Sequence, residues 1–290
     1  MLEDYLDIQT LSFITSIVSI STFIVMLFVA KKQKIYPGFK EWTLANFFNS
    51  LGMILLALRP ILPDFISIII ANNFILLYLV FIARGLRKFA EGDQQLWFDV
   101  IPPLLLTIFF IFYTYVIPNV NARIIIISSL IFLISCRICY IIWTGIYKIL
   151  LKKQIFLFTS FVIFIGWHLT RLILTILLES QIEDFLEAGI IQGLAFINII
   201  SSNIIQSLLL IDCNSQKLEK DLNESQDEIK NLSGLLPICS SCKKIRNESN
   251  SWDNIENYIS DHSDALLTHS LCPECVAKLY PDMDFDELED

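Results

Sequence analysis

The sequence predicts an all-α polytopic membrane protein of seven transmembrane helices, continued by a short coiled coil and a small zinc-stapled α+β module. Three observations predict it. Of 290 residues, 54% are hydrophobic and only 18% charged, less charge than a soluble domain carries. The apolar residues fall in blocks of near-bilayer length, separated by short charged breaks. Near the C-terminus stand two Cys-x-x-Cys pairs, Cys239/Cys242 and Cys272/Cys275, with 29 residues between them. The formal net charge of −9 argues against nucleic acid as a partner.

The apolar blocks are 10–30, 43–60, 64–83, 100–117, 124–147, 155–178 and 186–210. Helices are the open-chain structure that satisfies backbone groups in lipid. The first block has no basic leader and no small-residue cleavage site, so it reads as a span and not as a signal peptide. The second and third are joined by a tight turn in which Pro60 and Pro63 stop or kink a helix. Lys31, Lys32 and Lys34 follow the first block, Arg84, Arg87 and Lys88 the third, and Lys148, Lys152 and Lys153 separate the fifth from the sixth. Seven spans put all three clusters on one side. Glu3, Asp4, Asp7, Glu179, Glu183 and Asp184 fall on the other, with Arg123 the one dissenter. Basic loops stay inside, which predicts an outer N-terminus and a cytoplasmic C-terminus. The membrane domain is then 1–211.

Residues 212–234 form a linker. Apolar residues at Ile211, Leu218, Leu222, Ile229, Leu232 and Leu236 follow steps near three and four, with Ser215 and Ser225 in the remaining core slots. Two readings fit: a parallel dimeric coiled coil, giving a homodimer, and a single amphipathic helix. Gly234 and Pro237 end it.

Residues 235–281 are too few for an ordinary apolar core, so a metal staple makes physical sense. Two thiol pairs on tight turns supply four sulfurs for a tetrahedral Zn²⁺ site, and four thiolates leave no open position for a catalytic water. Thiols on the cytoplasmic side stay reduced, which favours metal over disulfide. The alternatives are a thiol–disulfide exchange site and a different metal such as iron. His269, three residues before Cys272, has three readings: it replaces a thiolate, orients one, or faces solvent. The spacing predicts a helix from Asn250 or Ser251 to Tyr258 or Ile259 with Trp252, Ile255 and Ile259 on one face, a strand or core contact at Leu266 and Leu267, and a last helix from Pro273 to near Tyr280. The tail 282–290 carries six acids and is expected to be disordered.

Inside the spans, ionisable and amide side chains are costly and point into the bundle. Arg137, His168, Arg171, Asn198, Asn203, Asn72 and Asn46 are the candidates for an intramembrane ligand site or polar network. The plain alternative is packing: polar side chains that only fix helices together. His168 is the one histidine in a span, so a bis-histidine haem does not form within one chain, and the last span has no lysine for a retinal Schiff base. Glycine-rich phosphate loop, His-Glu-x-x-His and Ser-His-Asp patterns are absent, which predicts no enzyme.

The stretch LLPICSSCKKIRN to THSLCPECVAKLYP resembles the small C-terminal module that ends many bacterial two-component signalling proteins, behind PAS, receiver or membrane sensor regions. The resemblance covers 235–281 and marks the four cysteines and His269. Modules of that kind often have glycine where Ser270 stands, and Gly-Tyr or Gly-Trp where Ser251-Trp252 stands. More faintly, Trp42, the LLALRPILPD turn, Asn72 and Gly85–Phe89 resemble the multi-span sensory region preceding some diguanylate cyclases, with no cyclase, phosphodiesterase or kinase domain following here. The resemblance implies a non-enzymatic receptor in the bacterial cytoplasmic membrane. It would sense an unknown small-molecule ligand or a state of the lipid bilayer and signal to a separate cytoplasmic protein. The competing reading is a transporter or membrane-bound redox protein with a structural zinc tail.

Overall fold

In lipid, every backbone amide must find its partner inside the protein, and this chain answers with long helices. The computed structural model describes residues 8–93, 95–177, 190–233, 237–247, 250–263 and 265–281. The acidic residues Glu3, Asp4, Asp7, Glu179, Glu183 and Asp184, together with Gly234, Leu236 and the 282–290 tail, lie outside the described residues. The chain divides into two units, Met1–Asp221 and Leu222–Asp290.

The first unit is a helical bundle. Its helices are α1 (Ile8–Lys32), α2 (Phe39–Ala57), α3 (Phe65–Phe89), α4 (Leu96–Val116), α5 (Val120–Leu150), α6 (Ile155–Leu177) and α7 (Ile190–Ser233). α7 begins in the first unit and continues into the second. Wider, π-type turns interrupt α3 at Phe65–Ile70, α4 at Phe112–Val116 and α5 at Ile142–Ile146. Asn119 caps α5, its side-chain oxygen accepting the Ala122 amide at 2.9 Å.

Six of these helices, all but α2, are long and apolar enough to cross a membrane. The protein is therefore a helical, multi-pass membrane protein. The seven blocks read from the sequence correspond to those six and to α2, whose composition falls short because Lys40, Glu41, Asn46 and Asn49 dilute it. The reason is its position. α2 packs chiefly against α1 and α3, and Phe39, Trp42, Ala45, Asn46, Asn49 and Met53 are buried. A helix largely covered by its neighbours needs an apolar coat only where it stays exposed, as at Leu44 and Phe47.

Patterning across the bundle runs opposite to that of a soluble protein. Phe13, Phe28, Trp97, Leu104, Phe156 and Ile163 are exposed, whereas Ser12, Thr15, Ser16 and Ser19 of α1 are buried. Those small residues let helices approach closely. The nearest approach is between the start of α2 and α3. Gly38 has φ of +101° and its added Cβ would overlap the Gly85 carbonyl, while a Cβ on Gly85 would overlap the Trp42 ring and lie 2.7 Å from the Gly38 carbonyl oxygen. Trp42 fills the space and meets Phe89 at 5.4 Å between ring centroids. Beside it, Lys88 pairs with Glu41, and the nearly buried Arg87 with Asp99. These pairs tie the end of α3 to the starts of α2 and α4.

The second unit holds the small C-terminal elements. β1 (Ile245–Arg246) and β2 (Trp252–Asp253) pair antiparallel, Ile245 opposite Asp253 and Arg246 opposite Trp252. Ile245, the centre of this tail, is fully buried. α8 (Ile255–His262) and α9 (Pro273–Leu279) follow. Two local expectations change. Trp252 belongs to a strand and not to the central helix, because Asn247 bonds the Ser251 and Asp253 side chains at 2.6 and 2.5 Å and so holds β2 beside β1. Leu266 and Leu267 lie outside regular structure, and Leu266 is 95% exposed. The last helix starts at Pro273, as its fixed φ favours.

Gly85→Ala forces the Trp42 ring and the Gly38 backbone apart. It should destabilise the bundle by about 1–3 kcal/mol, read as a lowered unfolding midpoint in detergent. Gly166→Ala, with open space around its site, should leave the midpoint within about 0.5 kcal/mol of the parent.

Candidate functional site

Asn46, in the middle of α2, is the node where three helices meet. Its carboxamide oxygen accepts from Asn203 Nδ2 at 3.1 Å and Ser207 Oγ at 3.2 Å, both on α7, and lies 3.0 Å from Thr22 Oγ1 on α1. Its Nδ2 donates to the Trp42 carbonyl at 3.1 Å and meets Met26 Sδ at 3.2 Å. Thr22 Oγ1 also lies 2.9 Å from the Ser19 carbonyl of its own helix and 3.2 Å from Asn203 Oδ1, so its single hydroxyl proton serves one of three acceptors at a time. Nearby, Asn49 donates to Ser19 Oγ at 2.7 Å, and the Tyr78 hydroxyl donates to Gln206 Oε1 at 3.2 Å. Together these bonds form a polar seam linking α1, α2, α3 and α7.

Two cavities flank the seam. The smaller, about 20 Å³, is lined by Asn49, Tyr78, His168, Ser202, Asn203 and Gln206 among others, room for about one water. His168 is fully buried, edge-on to Phe164 at 4.5 Å, and neither ring nitrogen has a hydrogen-bond partner among the described residues. The larger cavity, about 70 Å³, has mostly apolar walls from α2 to α7. Arg59, Asn72, Arg123 and Arg171 bring polar groups to it. Arg171 is 6% exposed, and its Nε donates to Gln192 Oε1 at 2.7 Å.

The predicted residues thus divide. Asn46 and Asn203 bond each other, and Asn203 shares the small cavity with His168. Asn72 and Arg171 share the large one, although the Asn72 amide bonds its own helix at the Ile68 carbonyl, 2.7 Å away. Asn198 is half-buried on α7, its side-chain oxygen unbonded among the described residues. Arg137 stands apart. It reaches Gln95 Oε1 at 2.9 Å, before the start of α4, and lies over the Tyr140 ring. Its long stem carries the charge away from the bundle interior. Arg59, Thr22, Tyr78 and Ser207 were missed by sequence reasoning. Arg59 could have been found as a cation just before the Pro60–Pro63 turn, at the end opposite the three basic clusters, where Arg123 alone was noted.

At the basic end, connecting loops grip α7. Asn214 Oδ1 accepts the Tyr36 amide at 3.0 Å, and its Nδ2 donates to the Lys34 carbonyl at 3.1 Å. Tyr36 donates to Asp221 at 2.5 Å, and Lys217 pairs with the same carboxylate at 3.1 Å. Burial, and then the hydrogen bond to Asp221, push the Tyr36 phenol up to about 12, so it remains a donor through neutral and mildly alkaline pH. From the other side, Gln154 bonds Gln216 at 2.8 Å, and Lys220 donates to the Ile149 carbonyl at 2.9 Å.

In the second unit, each cysteine pair occupies a defined turn. The Cys239 amide donates to the Lys244 carbonyl at 2.8 Å, and the Lys243 amide to the Cys239 carbonyl at 3.0 Å, with Lys243 at φ +60°. Amides of Cys242 and Ser241, bonding the Cys239 sulfur, hold its thiol below the usual thiol range. Cys272 caps α9, whose first turn holds Cys275. The Cys275 amide and thiol hold the Cys272 thiol low in the same way. The donor chemistry suits a thiophilic divalent ion: paired, accessible sulfurs, with the Cys239 and Cys272 thiols held low. Among the described residues no three His, Cys, Asp or Glu side chains stand within reach of one metal. His269 is directed to Glu256, with 3.6 Å between Nε2 and Oε1.

Asn46→Leu removes the acceptor that three side chains share. Interhelical hydrogen bonds in membranes contribute roughly 0.6 kcal/mol each, so a loss of about 1–3 kcal/mol is expected in detergent unfolding. Asn72→Leu, which breaks a bond within one helix, should cost less than about 1 kcal/mol. Equal losses would remove Asn46 from its place as the node. Set against protein-family models, curated proteins and solved structures, the chain matches none.

Proposed function

We propose that the protein is a non-enzymatic signalling receptor of the bacterial cytoplasmic membrane, with seven spans, an outer N-terminus and a cytoplasmic tail. One observation carries this reading. α7 is a single helix of 44 residues that lines both cavities, contributes Asn203 and Ser207 to the polar seam, and is gripped by loops at 34–36 and 149–154. A helix that touches a ligand space at one end and continues past the bundle is a physical route for a signal. Transmission further requires two arrangements of that helix with different contacts.

The seventh span is α2. It runs from Phe39, beside the Glu41–Lys88 pair at the basic end, to Ala57, with Leu56 and the following Arg59 at the large cavity. Orientation rests on the basic clusters. Lys88 and Arg87 are partly neutralised by Glu41 and Asp99, but the rule counts Lys and Arg and not net charge.

Beyond the bundle, Leu222 and Ile229 of α7 are 55% and 65% exposed. Both occupy core slots of the heptad register, which supports pairing with a second copy as a parallel coil. The proposed tail comprises 235–281, with Cys239, Cys242, Cys272 and Cys275 holding Zn²⁺ and His269 outside the ligand set. Zinc there supplies a crosslink and no catalysis. The module then docks a separate cytoplasmic signalling protein, as its resemblance to two-component tail modules suggests.

Two measurements test this. A photocrosslinking side chain at Leu222 or Ile229 should trap a covalent dimer in native membranes, and one at Asp227 should not. Monomer at all three positions removes the coil. The purified chain should retain about one zinc, and Cys239→Ser should lose it while the bundle's unfolding midpoint stays put. Unchanged metal content in Cys239→Ser would remove the site.

A further inference from the structure

We propose that the connection between α5 and α6 binds the head group of an anionic phospholipid through Lys148, Lys152 and Lys153. The proposal needs the chain to span the membrane and does not need it to be a receptor.

α5 and α6 are both long and apolar enough to cross a membrane, and residues 151–154 alone join them. A connection that short lies at the membrane boundary, whichever face that is. At 1.5 Å per residue the 31 residues of α5 extend for about 46 Å, against a hydrocarbon core of about 30 Å, so its ends reach the head-group layers. Its last turns carry Trp143 and Tyr147, both exposed, and such rings settle at that depth.

Lys148, Lys152 and Lys153 are exposed, and among the described residues none of them pairs with a carboxylate. Their neighbours at the same end of the bundle differ. Lys88 pairs with Glu41, Arg84 and Arg87 with Asp99, and Lys34 and Lys217 with Asp221. The sequence around the three lysines is built without acids: none occurs from 100 to 178. Three ammonium groups within one short loop attract an anionic surface, and lysine binds phosphate as a point charge.

The surroundings select a lipid over a soluble anion. Lys153 Nζ stands over the Trp143 ring, 4.9 Å from its centroid, which holds one amine beside an interfacial aromatic. Trp143, Tyr147, Lys153, Gln154 and Phe158 line a small cleft of about 10 Å³. Leu151, Ile155 and Phe156 are exposed around it. A phospholipid meets both halves of this surface, its phosphate at the lysines and its acyl chains on the apolar side chains. An inorganic anion leaves the apolar half unused, and an acidic soluble protein would have to displace lipid from it. The same loop holds α7, through Gln154 with Gln216 and the Ile149 carbonyl with Lys220, so a lipid bound here sits on the clamp of that helix.

The test uses the full chain purified in micelles doped with equal amounts of dioleoylphosphatidylglycerol and dioleoylphosphatidylcholine, with retained lipid counted by native mass spectrometry. The parent should keep phosphatidylglycerol in preference to phosphatidylcholine. Lys148→Gln, Lys152→Gln and Lys153→Gln should each lower that retention about fivefold, the factor one basic residue contributes at an anionic surface. All three positions are exposed, so the unfolding midpoint in detergent should stay at the parent value. Lys152→Arg and Lys153→Arg, which keep the charge, should keep the lipid. Lys31→Gln and Lys40→Gln remove exposed lysines elsewhere at the same end and should leave retention unchanged. Inorganic phosphate in excess should not displace the lipid. No preference for phosphatidylglycerol, or an equal loss in the arginine variants, overturns the proposal. So does an equal loss in Lys31→Gln and Lys40→Gln, which makes the attraction a diffuse property of the basic end. Release of the lipid by inorganic phosphate also overturns it, because a free anion then occupies the lysines.

Discussion

A solvent that offers no hydrogen bonds governs this molecule. Each backbone polar group in the bundle must find a protein partner, and apolar side chains gain nothing by hiding from lipid. The hydroxyls of α1 show the result. Ser12, Thr15 and Ser16 donate to carbonyls three or four residues back in their own helix, at 2.7–2.8 Å. Their protons are thereby satisfied, and their small size leaves α1 close to α2. Large rings such as Phe13 and Phe28 take the outer surface. Helix contact in this setting comes from fit and from shared polar atoms, which is why one amide, Asn46, joins its own helix to two others.

The two ends of the bundle differ in kind. At the basic end, ion pairs and loop carbonyls close the structure around α7, and Tyr36 and Asn214 hold that helix against the α1–α2 connection. At the other end the helices part around a cavity rimmed by three arginines. The bundle is fastened at its basic end, and its larger cavity lies towards the other. The polar seam lies between them, so any change in the spacing of α7 and α2 must remake the Asn46 bonds. Such bonds have discrete partners, which favours two arrangements over a continuum.

Much of this was legible in the sequence. Block lengths and punctuating charges placed the six apolar helices, and Pro273 placed the start of α9. α2 was found as a block although its composition is mixed, because its polar residues sit at positions that face other helices. What could not be read was which side chains meet. Arg137 counts as mid-span along the chain, yet its five-atom reach brings it to Gln95. Arg59 looks like a turn residue, and only the antiparallel arrangement of α2, α5 and α6 brings it to Arg123 and Arg171. Trp252 was assigned to a helix because its spacing from Ile255 and Ile259 is helical. A turn fixed by the Asn247 side chain prevailed over that period. Cysteine spacing revealed the two knuckles, but the union of the two pairs depends on a contact across 29 intervening residues.

The length of α7 has a corollary. At 1.5 Å per residue, 44 residues extend for about 66 Å, against a hydrocarbon core of about 30 Å. The helix is therefore about twice as long as one crossing needs, and the turns outside the hydrocarbon must hold their hydrogen bonds in competition with water.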